Sequence, residues 1–422
     1  MIFKRADIML PKFVGNSDDM TKWSVIACDQ YTQDYDYWNN IKNEVGDNPS
    51  TLNIIVPEIY LNNSDIDERI KNVNYVMKNY VDNGIFNKYK NTFIYVERTQ
   101  KNGAVRRGIV GCIDLEEYDY NKGSKTKIRA TEGTVLERIP PRLKVRSDAI
   151  IELPHIMMLI DDETKSIIEF NNDIKDSFEL LYDFKLNNDS GHIKGYLMSD
   201  EACIELENKL DSLDNIDKFN KKYNCKENNP LIFAVGDGNH SLATAKSNYM
   251  NLKQQIGDKA LMHPARYALC ELVNLYDESL VFEPIHRVVF NSDFDLFINE
   301  LSKMYDVTVN GNADGQKFTL IYKNEDFNIT LNNTTQFLTV GSVQDFLDSF
   351  CKTYNCEVDY IHGEQDVRKL CNNSSNIGII LDVMSKTELY KSVIESGALP
   401  RKTFSMGEAY DKRFYVECRE IK

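Results

Sequence analysis

The 422-residue sequence contains no Cys-x-x-Cys pair, no His-x-x-x-His pair, no Gly-x-Gly-x-x-Gly and no Gly-Lys-Ser/Thr. The first two absences leave nine scattered cysteines and six histidines without the spacing of a zinc site or a disulfide framework, so reduced thiols are expected. The last two exclude a dinucleotide fingerprint and a P-loop. No run of about 18 apolar residues occurs, which argues against a membrane-spanning helix. The opening Met1-Ile-Phe-Lys-Arg-Ala-Asp-Ile-Met-Leu10 mixes charge into its apolar residues and meets Pro11 at once, unlike a signal peptide. Positive charge is also short, with 50 Lys and Arg against 65 Asp and Glu, a net −15. Such a surface repels nucleic-acid phosphates and anionic membranes, so neither is an expected partner. The expectation is a cytoplasmic protein. No metal ligand is assigned, although an ion held by carboxylates and phosphate oxygens leaves little trace in a sequence.

What is present suits a folded enzyme. A hydrophobic content of 42% and an aromatic content of 11% are those of a globular chain long enough for about two or three domains. The stretch Leu231-Ile-Phe-Ala-Val-Gly-Asp-Gly-Asn-His-Ser-Leu-Ala-Thr-Ala-Lys246 reads as a buried strand, a tight Gly236-Asp-Gly238 turn and a helix beginning near Ser241. Strand, glycine turn and helix start together aim backbone N–H groups at one point, a ready anion site. Asp237, Asn239, His240 and Ser241 add a carboxylate, an amide, an imidazole and a hydroxyl beside Gly238. The plainer alternative is that Asp237 or Asn239 caps the helix and His240 only packs nearby.

A second chemical stretch, 125–146, holds seven Lys and Arg against two Glu, a local +5 in an acidic chain. It would draw an anionic ligand, or else form ion pairs with the acidic remainder. Within it Arg129 and Thr134 are candidate ligand contacts and Glu132 a candidate general base. Thr134 to Glu137 also fits a capping box. Further along, Arg266 leads an apolar strand, and Pro284-Ile-His286-Arg287 could deliver two side chains to a pocket or form a hydrogen-bonded turn. Arg401, Lys402, Thr403 and Ser405 are again suited to anions.

The periodicity predicts an α+β fold. Strands are expected at 23–28, 53–60 (an edge strand broken by Pro57), 156–160, 167–170, 179–184, 263–275 and 282–290, with a hairpin of 91–97 and 107–115 turning at Asn102-Gly103. Helices are expected at 29–42, with an aromatic face, and at 64–90, with a helix or helix pair over 199–219. The division expected is a mixed-sheet main domain over 1–290 and a smaller α/β sandwich over 291–395. The 396–422 tail would end in a strand at 413–418 and return to the main domain. The smaller module should contain helices 293–304, 342–354 and 386–396, strands 305–309 and 377–381, and a hairpin of 317–322 with 326–331.

Four ordered motifs resemble the family known as domain of unknown function 1015. They are the Arg129 to Thr134 segment, the Gly236 to Ser241 turn, Pro284 to Val289 and the Leu399 to Ala409 tail. The chain departs at Arg129-Ala-Thr-Glu132, where many members carry Arg-Pro-His-Glu, and at Asn239-His-Ser241, where many carry His-His-Arg. The Asp-Gly-x-His turn is also similar to the phosphate-binding turn of the ParB/sulfiredoxin-like fold, whose members include a free-serine kinase. That resemblance implies an enzyme that binds a phosphorylated ligand, ATP or ADP with Mg²⁺, and transfers phosphoryl to a small metabolite. Catalysis would fall to Glu132, Asp237, His240 and His286. Binding would fall to Arg129, Thr134, Gly238, Asn239, Ser241, Arg266 and Arg287. A hydrolase at the same site and a non-catalytic phosphometabolite sensor are the alternatives.

Overall fold

The computed structural model describes residues 2–372, 375–400 and 402–422. They form two compact units, one of residues 1–280 with 408–422 and one of 281–407. This differs from the expected division at two places. The boundary lies at Leu280–Val281 rather than at 290, so the strand Phe282–Phe290 belongs to the second unit. The tail is also shared, 396–407 going with the second unit and 408–422 with the first.

The fold is α+β with mixed sheets. The first unit is built on a 10-stranded sheet. Its path runs Glu179–Lys185, His192–Leu197, Ile94–Thr99, Val105–Asp114, Tyr267–Asn274, Met157–Ile160, Phe233–Asp237, Ile128–Ala130 and Tyr118–Asp119, with Phe3–Lys4 added on Val105–Asp114. Both faces are covered, as continuous apolar strands require. Alternate residues serve the two faces: Ile94, Val96 and Val110 enter one core cluster, while Tyr95, Ile109 and Ile113 enter the other. The hairpin at Asn102-Gly103 pairs as expected, and Gly103 takes a φ of +87° that the turn requires.

Several short apolar runs resolve differently from the sequence reading. Residues 23–28 are not a strand. Asn16 caps a helix Ser17–Trp23, and only Ile26 bridges onward, to Phe414. The expected helix at 29–42 starts later, at Tyr35, where Asp34 caps it, and runs to Val45. The 53–60 run becomes two 3₁₀ turns, Thr51–Ile54 and Glu58–Tyr60, the first capped by the Ser50 hydroxyl. The 64–90 helix divides into the helix Ile66–Asp82 and the strand Phe86–Thr92, which pairs with Ala6–Pro11. The 167–170 run gives way to a helix from Phe170. The 199–219 segment, by contrast, is a helix pair as the reading allowed, Asp200–Asp211 and Ile216–Tyr223. Thr134 to Glu137 forms no capping box; a 3₁₀ turn follows Val135 without a side-chain cap.

The terminal segment crosses the first unit without forming the expected strand at 413–418. Tyr415 N–H donates to Val25 O at 2.8 Å and Ala27 N–H to Arg413 O at 3.0 Å, a short ladder. Beneath it lies a buried charge network. Glu271, fully buried, accepts from Arg106 Nε at 3.2 Å and from Arg413, and Arg413 also donates to Glu417 at 2.5 Å.

The second unit holds a seven-stranded sheet, in the order Asp306–Val309, Glu325–Asn332, Gln316–Tyr322, Ile377–Ile380, Phe282–Phe290 and Glu357–His362. Phe404–Met406 pairs with the start of the long strand. Phe297, Phe346 and Phe350 pack its helices, Phe294–Met304 and Thr339–Tyr354, onto the sheet. The strand Glu357–His362 and helix Glu364–Leu370 were not expected. That strand is largely exposed and polar, so its alternation is weak.

Candidate functional site

The motif strand Phe233–Asp237 lies parallel to Ile128–Ala130, with Arg129 opposite Ala234, and antiparallel to Met157–Ile160. Gly238 turns the chain with a φ of +80°. A Cβ there would meet the Ile156 backbone at 3.0 Å, so a side chain is disfavoured on two counts, the contact and the backbone angle. The helix Asn239–Ile256 starts at once. Its N-cap is the side-chain-less Gly238, and its first turn carries no acidic residue. The Asn239 Oδ1 is buried without a hydrogen-bond partner.

Strand pairing therefore brings the two chemical stretches of the first unit together. Thr131 Oγ1 donates to Val235 O at 2.6 Å, and Val135 N–H donates to His240 Nε2 at 3.3 Å. Burial lowers the His240 pKa to about 4, with Arg138 and Arg142 adding to the shift. The imidazole is neutral near pH 7, and with Nε2 accepting, the proton sits on Nδ1. Asp237, at the strand end, accepts from Gly238 N–H at 3.0 Å and pairs with Lys412 at 3.3 Å. Glu132 is half-buried and follows Thr131 directly. Thr134 Oγ1, also at this turn, is buried without a partner.

Ser241 meets a histidine from outside both chemical stretches. Its Oγ lies 3.0 Å from His155 Nε2. The same nitrogen lies 3.4 Å from Asp29 Oδ2, while Nδ1 is 2.8 Å from the Tyr415 hydroxyl. Tyr415 OH in turn accepts from Cys28 N–H at 3.2 Å. Burial works against a charged imidazole here, but the Asp29 carboxylate outweighs it and raises the His155 pKa. Reciprocally, burial opposes ionisation of Asp29, yet His155 holds its pKa below the ordinary carboxylate range. In the protonated form that Asp29 favours, His155 Nε2–H donates toward Ser241 and Asp29. Ser241 then has its own hydroxyl proton free to offer a ligand.

These four residues, Asp29, His155, Lys412 and Tyr415, escaped the sequence reading. His155 carried one signal, a histidine directly ahead of the strand that neighbours the motif strand. Asp29 and Tyr415 carried none, because the 25–27 and 413–415 ladder that seats them joins opposite ends of the chain.

Other expected ligand contacts are already engaged. Arg129 is buried and donates to Thr126 O at 2.8 Å, to Glu227 at 3.2 Å and to Asn229 O at 3.2 Å. Arg266 grips Asp114 with two nitrogens, Nε at 3.0 Å and Nη2 at 2.5 Å, and Leu261 O with a third. Much of the basic 125–146 stretch is likewise ion-paired: Lys125 with Glu227, Lys127 with Asp214, Arg142 with Glu58, Lys144 with Asp67 and Arg146 with Glu152. His286 and Arg287 lie in the second unit. There His286 Nδ1 accepts from Leu381 N–H at 3.3 Å, and Arg287 donates to Ile285 O and to Lys402 O. Thr403 and Ser405 donate to nearby carbonyls in the same unit, and Arg401 lies outside the described residues.

A cavity of about 140 Å³ opens beside Ser241 and His155. Among the described residues, no group of three or more His, Cys, Asp or Glu could hold a metal, and no helix is long and apolar enough to cross a membrane.

Three solved structures are similar in part. A free serine kinase in complex with AMP is 11% identical, with a TM-score of 0.38, over 72% of this chain and 90% of that one. A conserved hypothetical protein from Pyrococcus furiosus is 12% identical, with a TM-score of 0.36, over 74% and 94%. SbnI from Staphylococcus aureus, truncated at its C-terminus, is 9% identical, with a TM-score of 0.36, over 73% and 82%. Likenesses of this size assign no activity here. No curated protein matches the sequence. The family model described as "Protein of unknown function (DUF1015)" matches residues 13–350, well over half of the chain, and the chain belongs to that family.

Proposed function

We propose that the first unit is an enzyme that binds a phosphorylated small molecule, a nucleotide among them, at the start of the Asn239–Ile256 helix and transfers its phosphoryl group to a small metabolite. One observation carries the reading: Ser241, in the first turn of an uncapped helix without acidic residues, lies 3.0 Å from His155, whose protonated form Asp29 favours. A dianionic phosphate there gains the helix N–H groups, the Ser241 hydroxyl and a nearby cation. The orphan Asn239 Oδ1 awaits a donor, which a ligand hydroxyl supplies. Asp237 and Glu132 are the carboxylates placed to orient an acceptor. His240 is less suited to act as base than its position suggests, since Nε2 accepts from Val135 and Nδ1 bears the proton. An Mg²⁺ ion would rest on Asp237 or Glu132 together with phosphate oxygens, and it would supply charge neutralisation.

The test is calorimetric titration with inorganic phosphate, ADP and ATP, each with and without Mg²⁺, on the native protein and on Ser241→Asp. The introduced carboxylate occupies the helix start and pairs with His155, so the variant should fold and lose anion binding. Equal affinity in both proteins, or no binding to the native protein, would refute the site. Turnover then separates transfer to an acceptor, hydrolysis and simple sensing.

A further inference from the structure

The cavity beside Ser241 has a chemistry that the phosphate reading does not use. Its wall is made largely by Ile54, Val56, Met77, Val145, Ile151 and Leu269, drawn from five separate chain segments. The charged side chains that reach it are neutralised in pairs, Arg142 with Glu58 and Arg146 with Glu152 at 2.5 Å. Burial further pushes the Glu58 pKa upward. Ser241, His155, Thr244 and Tyr415 line it too. The space is therefore walled mainly by aliphatic side chains, with Ser241 and His155 on the same wall.

Its size is informative. A hydrocarbon-lined cavity of about 150 Å³ stays dry and takes up benzene. At about 140 Å³ this cavity accommodates a group of the same bulk. Water against the aliphatic part of the wall finds few partners, so hydrocarbon is the better occupant there.

We infer that this cavity is the apolar half of the substrate site: the ligand is amphiphilic, with a compact hydrocarbon or aromatic group in the cavity and its polar end at Ser241 and His155. That places a phosphate ester of a ring-bearing or branched alcohol, rather than a fully hydrophilic metabolite, as the class of molecule recognised. The inference rests on the phosphate reading for the nature of the polar end, but not for the apolar one.

Calorimetry with three probes separates the two. Inorganic phosphate reports the anion site alone, phenol the cavity alone, and phenyl phosphate both. Phenyl phosphate should bind about tenfold or more tightly than inorganic phosphate, the gain expected for withdrawing a ring from water. In Val145→Phe, which fills the cavity, the gain and phenol binding should vanish while inorganic phosphate binds as before. Val145→Leu, a smaller filling, should give the same change in part if the larger residue prevents folding. Phenyl phosphate no tighter than inorganic phosphate, or a gain that survives filling, would overturn the inference and leave the phosphate reading intact. Phenol binding that filling abolishes, with no binding of inorganic phosphate, would support the cavity and overturn the phosphate reading.

Discussion

Replacing Asp29 with asparagine should reverse the sign with which His155 couples stability to pH. At 3.4 Å from Nε2, the carboxylate attracts the imidazolium by about 5 kcal/mol for an effective dielectric constant of about 20. Solvent trims that figure, since Asp29 keeps 24% of its side chain exposed. A shift of one pKa unit requires only about 1.4 kcal/mol, so the attraction outweighs the burial that would otherwise keep His155 neutral. Asparagine preserves the shape and removes the charge. Burial then meets only the smaller pull of the Asp237 and Glu58 carboxylates, and His155 should titrate below its ordinary value of 6.5 instead of above it.

The consequences for stability have opposite signs. In the native protein the folded imidazole holds its proton above pH 6.5. The contribution of the pair is therefore full below that value and falls as pH rises through the folded pKa, by up to about 1.4 kcal/mol per pH unit. In Asp29→Asn the unfolded chain binds the proton more readily, so stability should rise with pH over the window just below 6.5. Asp29 itself, with its pKa lowered, stabilises above the ordinary carboxylate range, and that contribution fades as pH falls through its folded value. His192 and His286, both lowered by burial, occur in both proteins and cancel in the difference. His240 cancels in part, since Asp29 also favours its proton slightly. Denaturant unfolding of both proteins between about pH 5 and 8 reads the slopes, and NMR titration of the imidazole reads the pKa directly. A His155 that still titrates above 6.5 in the variant would refute the reasoning.

Gly238→Ala should cost about 1–2 kcal/mol from its left-handed backbone alone, and more from the 3.0 Å approach to Ile156. It should also weaken phosphate binding, so a variant with native melting temperature and native phosphate affinity would contradict the tight turn. Glu271→Leu leaves Arg106 without this buried carboxylate and Arg413 with Glu417 alone, and should cost about 3–5 kcal/mol in urea unfolding. Since Arg413 lies between Lys412 and the Phe414–Tyr415 segment, the same variant should weaken anion binding, and unchanged affinity would show the site to be independent of the network.

How far the sequence could be read depended on how local each signal was. The hairpin 94–114 and the motif strand, turn and helix were legible because Asn-Gly and the alternation of apolar residues act over a few positions. Runs such as 23–28 and 53–60 were not. Four to eight apolar residues suit a strand or a buried turn equally, and Asn16 and Ser50 decided the matter by capping. In the site, residues next to the glycine turn were legible and those delivered by distant chain were not: Asp29 and Tyr415 meet at His155 only because residues 25–27 pair with 413–415. The basic stretch shows the opposite failure. Charge composition marked Arg129 as a ligand contact, yet Glu227 already pairs with it, although its Nη1 is left buried without a partner. Composition counts cations without subtracting their partners, and in a chain of net −15 the partners are plentiful. The groups that still ask for a ligand are those left unmet after every internal pair has formed. Asn239 Oδ1 and the uncapped start of its helix are such groups. That remainder is a property of the folded pairing, which is why the motif was readable in the sequence and its unpaired polar atoms were not.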